Sequence, residues 1–429
     1  MTSMTEPPAE SFRLSQLIYD TRYRSMTIQV VAFILILLAL FWLGRNIVSN
    51  LEDLGKDFDF GFLGSRAGYD INQRLIEYSN DSTHARAALV GILNTLLVAV
   101  LGCALATVLG VIAGVLRLSK NWIVARLMAV YVEGFRNIPL LLWIILIFAV
   151  MTEATPRPSD FRGDSPEASM ILGDSVAITN RGVYIPNVFF TRSLGGNEMT
   201  EVTDSTGATV IASSSGLDWF VIILVFVASI LGARAIGRWA TAKQEATGIR
   251  PAGAFWMQVG TVMVPSVLVL LALGATLDFP GLRGFNFGGG IHLRNSLIAL
   301  WLALALYTGA FIAEIVRAGI LSVSKGQTEA AFALGLRPNR TMNLVILPQA
   351  LRVIIPPLIS HYLNLTKNSS LAIAVGYMDV RSTLGGITIN QTGRELEGML
   401  LLGLFYLVTS LVISGVMNIY NKSVMLKER

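Results

Sequence analysis

The chain has 429 residues, of which 53% are hydrophobic and only 14% are charged, and its mean hydropathy is +0.61. Because soluble globular proteins carry about 25% charged residues, this composition excludes an ordinary soluble domain and indicates a membrane protein. The single cysteine, Cys103, excludes an intrachain disulfide, and the three histidines have no clustered ligand partners that would indicate a metal site.

Apolar runs long enough to cross a bilayer core, about 20 residues, recur along the chain. The first run has the apolar character of a signal peptide, but its polar prefix is long and no small-residue cleavage site follows, which favours an uncleaved anchor. The predicted spans lie near 27–43, 87–116, 136–152, 217–233, 258–277, 295–313, 346–366 and 398–418.

The distribution of charge predicts the orientation of these spans. Cytoplasmic loops of membrane proteins carry an excess of Lys and Arg. With the N terminus inside, the inner segments are basic and the outer segments are acidic, so both termini are expected in the cytoplasm. The net charge of +5 therefore reflects topology and not binding to nucleic acid.

The longest polar segment, 153–216, is expected outside, since it carries eight acidic residues, four basic ones and no lysine. Two stretches in it, VAITNRGVYIP and TEVTDSTGATVIAS, place β-forming residues on both sides of Asn, Asp and Gly turn residues. This is the pattern of a β-hairpin. We expect a small β-rich insert here, and a disordered loop is the alternative.

A short polar helix is predicted between two apolar segments near the C-terminal end. Ser324 and Gln327 match a capping box, and good helix formers follow as far as Leu334. Gly335 suits the left-handed position after a helix, and Pro338 prevents its continuation. A helix of two or three turns is marginal alone. It is either a plain connector or a rigid knob presented to a cytoplasmic partner.

The residues of this helix and of the segment after it resemble the EAA loop of type I ATP-binding-cassette (ABC) importer permeases. The pattern is EAA-x3-G-x9-V-x-L-P, with valine where the family usually has isoleucine. It is carried by Glu329, Ala330, Ala331, Gly335, Val345, Leu347 and Pro348.

Other blocks resemble the polar amino-acid branch of that family. KNSSL departs from the more usual KDTSL, which leaves the substrate preference open, and the region between the two groups of blocks resembles the insert of the longer permease of Gram-negative general L-amino acid importers. The blocks are ALVGILNTLLVAVLG (88–102), YVEGFRNIPLLL (131–142), GAFIAEIVRAGI (309–320), GQTEAA (326–331), LPQALRVIIPPL (347–358) and KNSSL (367–371).

This resemblance implies an all-α polytopic membrane protein with about eight transmembrane helices, a type I ABC importer permease core and a small β-rich periplasmic insert. The chain is then divided into six parts. These are a cytoplasmic tail (1–26), a first transmembrane helix with a periplasmic loop (27–86), the first part of the core (87–152), the insert with two extra transmembrane helices (153–290), the second part of the core with the EAA helix (291–418) and a second cytoplasmic tail (419–429).

The resemblance also implies the function and the partners. The chain would be the permease subunit of an importer that moves L-amino acids from the periplasm to the cytoplasm, in the bacterial inner membrane. Its expected partners are a second permease in a heterodimer, two copies of a cytoplasmic ATP-binding subunit, a periplasmic amino-acid-binding protein and the lipid bilayer, without nucleic acid. Residues implied in ATPase coupling are Gln327, Glu329, Ala330, Ala331, Gly335, Leu347 and Pro348.

Energy for transport must come from another polypeptide. No phosphate-binding loop of the form G-x4-G-K-[ST] occurs in the sequence. We therefore expect no enzymatic activity, no catalytic residue and no cofactor in this chain, with ATP and Mg used by the partner ATPase.

A substrate path is predicted beside the proline-rich span. Pro348, Pro356 and Pro357 each remove an amide donor, and freed carbonyls inside a membrane need protein or a wet cavity. We therefore predict a broken helix lining a path. The path residues are His361, Asn364, Lys367, Asn368, Ser369 and Ser370, with Asn94 and Thr95 of the second span facing the same cavity.

Alternatives to these assignments stay open at this point. Lys367 can extend to the outer interface, His361 can be a packing residue, and Arg136, beside Pro139, is expected at a cytoplasmic helix end. An ion-coupled secondary transporter also uses broken helices, but it would need inverted repeats, and none is evident. A membrane scaffold without a path would leave the proline-rich span unexplained.

Overall fold

A computed structural model describes residues 21–53, 55, 57–163, 165–195, 200–203 and 209–424. Among these residues, seven helices are long and apolar enough to cross a membrane, and a sharply bent pair of shorter helices makes an eighth candidate. The prediction of about eight spans is confirmed. The predicted tails fall largely on residues 1–20 and 425–429, which lie outside the described residues.

The α-helices are numbered in chain order. Their bounds are α1 Thr21–Asp53, α2 His84–Leu116, α3 Trp122–Asn137, α4 Leu140–Glu153, α5 Gly216–Thr247, α6 Ala254–Leu273, α7 Asn295–Leu321, α8 Lys325–Ala333, α9 Pro338–Thr341, α10 Leu347–Asn368, α11 Val380–Ser382, α12 Ile389–Thr392 and α13 Glu395–Val424. Shorter helical segments are the π-helices Met342–Ile346 and Thr383–Thr388 and the 3-10 helices Gly61–Gly64, Pro158–Phe161 and Ser369–Val375.

The predicted span 136–152 is bent and not straight. Helices α3 and α4 meet at 110°, and of the two residues between them, Ile138 has extended backbone angles. The cause is Pro139, which lacks an amide donor and disfavours a helical conformation in the residue before it. The two arms are held together by Phe135 and Trp143, whose rings stack 4.1 Å apart across the bend.

Helix α7 is the most buried of the candidate spans and forms the centre of the molecule. It packs against α2, α3, α4 and α10. Its large buried side chains include Leu300, Leu304 and Ile312, which share one apolar cluster with residues of α2, α4 and α10. In a bilayer, where lipid is as apolar as leucine, such helices associate chiefly by close packing.

The contact between α2 and α7 depends on glycine. A β-carbon at Gly110 of α2 would lie 2.5 Å from the Cβ of Ile312 and 2.9 Å from the carbonyl oxygen of Gly309. A β-carbon at Gly114 would lie 2.6 Å from the carbonyl oxygen of Ala313. Since real contacts are longer than this, the two backbones can approach this closely only where α2 has no side chain.

The proline-rich span is continuous, so the predicted break at Pro356 and Pro357 is wrong. Residues Pro338–Val375 form one span, and both prolines lie inside α10 on its exposed face. The irregular turn lies earlier, in the π-helix Met342–Ile346, where the amide of Leu347 donates to Met342. This wider turn ends directly before Pro348, which has no amide to give the preceding turn.

The connection between α10 and α13 is held by Asp379. One of its carboxylate oxygens accepts hydrogen bonds from the amide (2.8 Å) and hydroxyl (3.0 Å) of Ser382. Asp379 thereby caps the first turn of α11. Its second oxygen is buried and has no hydrogen-bond partner among the described residues. Burial is the largest cause of its shift and raises the pKa of Asp379 to about 6, against the lowering effect of the hydrogen bonds from Ser382. The connection is therefore tightly packed.

The insert is built from short antiparallel strands and one helical hairpin. Both predicted β-hairpins are confirmed: β1 pairs with β2, and β4 pairs with β5, although the turn of the second lies outside the described residues. The strands are β1 Ala177–Thr179, β2 Gly182–Ile185, β3 Asn187–Phe190, β4 Thr200–Thr203, β5 Thr209–Ala212, β6 Ala275–Asp278, β7 Gly281–Arg283, β8 Asn286–Gly288 and β9 Ile291–Arg294.

Strand pairing brings the two ends of the insert together. β2 pairs with β9 and β3 pairs with β6, so the chain leaves the core after α4 and returns beside the same point at α7. Between these strands, α5 and α6 pack on each other. Helix α5 extends well beyond the predicted end at 233, and α6 ends earlier than 277, because the left-handed Gly274 stops it before β6.

The α2–α7 contact gives the first prediction. In Gly110→Val the added side chain would force the helices apart, and overpacking of this kind costs about 1–3 kcal/mol. We expect a lower midpoint of thermal unfolding for the purified protein in detergent. The matched control is Gly415→Val in α13, because a β-carbon at Gly415 meets no atom within 4 Å. Equal unfolding midpoints for the two variants would contradict the glycine contact.

Candidate functional site

Helix α8 ends as the sequence predicts. Gly335 has φ +75°, in the left-handed region. The amide of Leu336 donates to the carbonyl of Ala331 (3.1 Å), and the amide of Gly335 donates to that of Phe332 (2.9 Å). This pair of bonds is the Schellman motif, which satisfies the last carbonyls of a helix. The left-handed backbone of Gly335 thus fixes the C-terminal end of α8.

The N-terminal end of α8 is not capped in the way that the sequence predicts. Ser324 takes the cap position, but its side chain accepts no hydrogen bond, so the capping box with Gln327 is wrong. The amide of Gln327 instead donates to the backbone carbonyl of Ser324 at 3.1 Å. The first turn is closed by the main chain, and the Gln327 side chain stays exposed.

Helix α8 has one inner face and one exposed face. Ala331 is buried within the chain, where α8 packs against α9 and the π-helix that follows it. Glu329 and Ala330 are exposed. Of the EAA residues, the structure thus presents two to the outside and places the third in the internal contact.

Two apolar side chains, which sequence reasoning missed, belong to the exposed surface of α8. Phe332 is 48% exposed and Leu334 is 81% exposed. The signal in the sequence was the presence of two large apolar residues in an otherwise polar segment between two spans. Large apolar side chains that stay exposed on a helix outside the spans are candidate contacts for another protein.

The connections of α8 to the membrane spans are short. Three residues separate α8 from the end of α7 at Leu321, and α9 begins soon after Gly335. Leu347 and Pro348 lie one step further on, in the first turn of α10, where Leu347 is exposed and Pro348 half-buried. Helix α8 is therefore joined to the spans on both sides by short segments.

An ion-pair cluster joins the C-terminal ends of α2, α3 and α7. Glu314 accepts a hydrogen bond from Arg317 at 2.6 Å and another from Arg117. The carboxylate also lies 3.9 Å from a guanidinium nitrogen of Arg136. The pairing of Glu314 with Arg317, three residues apart on α7, is thus one part of a larger cluster.

A polar stripe runs along one exposed face of α10. Its members, Ser360, Asn364 and Lys367, are spaced three or four residues apart and share one side of the helix, which Pro356 continues toward the N-terminal end. The opposite side is buried in the core through Ala350, Ile354 and Leu365. Because polar groups are costly against lipid, this stripe must face water or another protein chain.

The other predicted path residues near the end of α10 are placed differently. His361 is half-buried beside the stripe, with its ring stacked 5.2 Å from that of Phe311. Asn368 and Ser370 are half-buried, and Ser369 is buried with its hydroxyl donating to the carbonyl of Thr366 (2.7 Å). Only Asn364 and Lys367 of the six are fully on the exposed face.

Asn94 and Thr95 are not brought to this face. Asn94 is fully buried, and its amide donates to the carbonyls of Gln73 (2.7 Å) and Met378 (2.9 Å). Thr95 is also fully buried, and its hydroxyl accepts from the amide of Val380 at 3.1 Å. Both side chains fasten the connection after α10 to α2.

No cluster of three or more His, Cys, Asp and Glu side chains that could hold a metal occurs in the described residues. The exposed polar groups of α10 can hydrogen-bond polar solutes, and the exposed surface of α8 can contact another protein.

A family model described as "Binding-protein-dependent transport system inner membrane component" matches residues 106–426, which is most of the chain. The chain belongs to this family. The match spans α7, α8 and α10, so both the exposed helix and the polar stripe are parts of a permease.

The permease is similar over its whole length to two bacterial proteins. It is 57% identical to the glutamate/glutamine/aspartate/asparagine transport system permease protein BztB of Rhodobacter capsulatus, covering 100% of both chains. It is 42% identical to the general L-amino acid transport system permease protein AapQ of Rhizobium johnstonii, covering 98% of this chain and 96% of the relative. These relatives give no support to the alternative of a secondary transporter.

Among solved structures, one similar chain belongs to an amino acid ABC transporter crystallised with histidines. The similarity has a TM-score of 0.42 and 17% identity, and it covers 79% of this chain and 95% of that one.

Proposed function

We propose that this permease is one half of the transmembrane pore of an ATP-driven importer, which moves L-amino acids from the periplasm into the cytoplasm. The names of BztB and AapQ support the substrate class. In this proposal the chain lies in the bacterial inner membrane with both termini in the cytoplasm, as the basic inner segments favour.

The observation that carries the proposal is the exposed apolar surface of α8. Phe332 and Leu334 lie between two spans, on a helix fixed at both ends and joined to α7 and α10 by short connections. Such a helix suits docking on a cytoplasmic ATP-binding subunit. The two copies of that subunit use ATP and Mg, and the present chain contributes no catalytic group.

The polar stripe on α10 supplies the surface along which the substrate passes in this proposal. In a pore formed by two permeases, Ser360, Asn364 and Lys367 face the partner permease across the path. ATP-driven closure of the nucleotide-binding subunits moves α8, and with it α7 and α10, so that the path opens alternately to the two sides. A periplasmic binding protein delivers the amino acid to the outer opening.

The docking surface is tested by Leu334→Asp. Loss of a buried leucine contact removes about 2 kcal/mol of binding free energy, so we expect at least about tenfold weaker capture of the ATP-binding subunit by the tagged permease. The control is Ile249→Asp, in the connection between α5 and α6, where the side chain is 75% exposed. Unchanged capture by Leu334→Asp would show that α8 only connects two spans and does not bind the ATP-binding subunit.

The polar stripe is tested by Lys367→Met. A hydrogen bond to a charged group contributes about 1.5–3 kcal/mol, so ATP-dependent uptake from a subsaturating concentration should fall about tenfold or more, with normal assembly of the complex. Lys367→Arg should retain most uptake, and Lys422→Met, on an exposed position near the inner end of α13, should be neutral. Full uptake by Lys367→Met would mean that this lysine only reaches the membrane interface.

A further inference from the structure

Arg136 lies in the last turn of α3, beside the bend to α4, so the helix end expected from the sequence is confirmed. Its guanidinium carbon lies over the ring of Phe311, 5.4 Å from the ring centre. Phe311 is ten residues from the C-terminal end of α7, or about 15 Å at 1.5 Å per residue. The guanidinium is therefore packed against the side of α7 and is not a free group at a helix end.

Phe311 connects Arg136 to the polar stripe. The ring of His361, which lies beside the stripe on α10, stacks on Phe311 with an angle of 27° between the ring planes. Arg136 and His361 thus contact the same aromatic ring, one from the α3–α4 bend and one from α10. The stripe on α10 is thereby extended sideways to a fixed positive charge.

The ion-pair cluster does not use up the hydrogen-bonding capacity of Arg136. Glu314 is already bonded to Arg117 and Arg317, and its carboxylate is 3.9 Å from Arg136, beyond hydrogen-bond distance. The Nε of Arg136 is buried and has no partner among the described residues. The side chain is also one-third exposed, so part of this guanidinium is open to a further ligand.

The cluster carries an excess of positive charge. Three arginines share two carboxylates, those of Glu133 and Glu314, and the nearest approach of Glu133 is 3.9 Å, to Arg117. A charged group packed between apolar helices is costly unless a partner of opposite charge compensates it. The planar fork of a guanidinium matches the two oxygens of a carboxylate.

We propose that Arg136 binds the α-carboxylate of the amino acid during its passage, with Phe311 holding the guanidinium in place. This inference rests on the proposed function, since it names a contact within the transport path. An α-carboxylate is common to all amino acids, so this contact serves uptake in general and leaves discrimination of side chains to other residues.

The test uses the complete complex in vesicles, with its partner permease, its ATP-binding subunits and saturating loaded binding protein. Uptake of glutamate and of glutamine is measured for Arg136→Gln and Arg136→Lys, together with the amount of assembled complex. Arg136→Gln should lower uptake of both amino acids by the same factor, about tenfold or more, with normal assembly. Arg136→Lys keeps the charge and should lie between Arg136→Gln and the wild type.

Three results would overturn the inference. Unchanged uptake by Arg136→Gln would show that the guanidinium meets no substrate. A loss of uptake confined to glutamate would show that Arg136 binds the side-chain carboxylate instead of the α-carboxylate. A loss of assembled complex in both variants would show a purely structural role. If the wild-type complex itself took up no amino acid, the proposed function would fail first, which is a separate result.

Discussion

The close approach of α2 and α7 is the contact on which the other features of the chain depend. Gly110 and Gly114 let the backbone of α2 lie directly against Gly309 and Ala313 of α7. In a bilayer no hydrophobic effect favours this contact over lipid, so packing at close range must hold the two helices. Helix α7 in turn supports α3, α4 and α10, and it leads directly into α8.

Held in this way, α7 and α10 form a packed frame that is joined to α8 by short segments. The Schellman turn at Gly335 fixes the exit of α8, and the π-helix before Pro348 lets the chain enter α10 without a break. The same frame carries the polar stripe and the ring of Phe311. In the proposed function, energy supplied by the ATP-binding subunit reaches the path through α8 and its short connections to the spans.

Much of this architecture could be predicted from the sequence, because it is specified by local signals. Apolar length gives the spans, turn residues give the hairpins of the insert, and Gly335 gives the end of α8. A bend could be expected at Pro139 because proline lacks an amide donor, but the angle of the bend could not be read from the sequence. The capping box at Ser324 was a wrong prediction because the main chain closes the first turn of α8 before a side chain is needed.

Other features could not be predicted because their partners are distant in the sequence. Asn94 reads as a polar residue in an apolar span, and only the fold shows that its partners are the carbonyls of Gln73 and Met378. Arg136 reads as a helix end, and only the packing of α7 places Phe311 beneath it. Sequence gives the residue types of the path, whereas tertiary contacts decide which of them face it.

The central claim, that α8 couples the ATPase to the path through a fixed turn, is tested most directly at Gly335. A β-carbon there meets no atom within 4 Å, so a substitution acts only on the left-handed backbone. Valine opposes that conformation by about 1–2 kcal/mol, whereas asparagine tolerates it. The measurement is ATP-dependent uptake per assembled complex in vesicles. The account predicts strongly reduced uptake for Gly335→Val and nearly normal uptake for Gly335→Asn, and equal uptake by the two variants would contradict it.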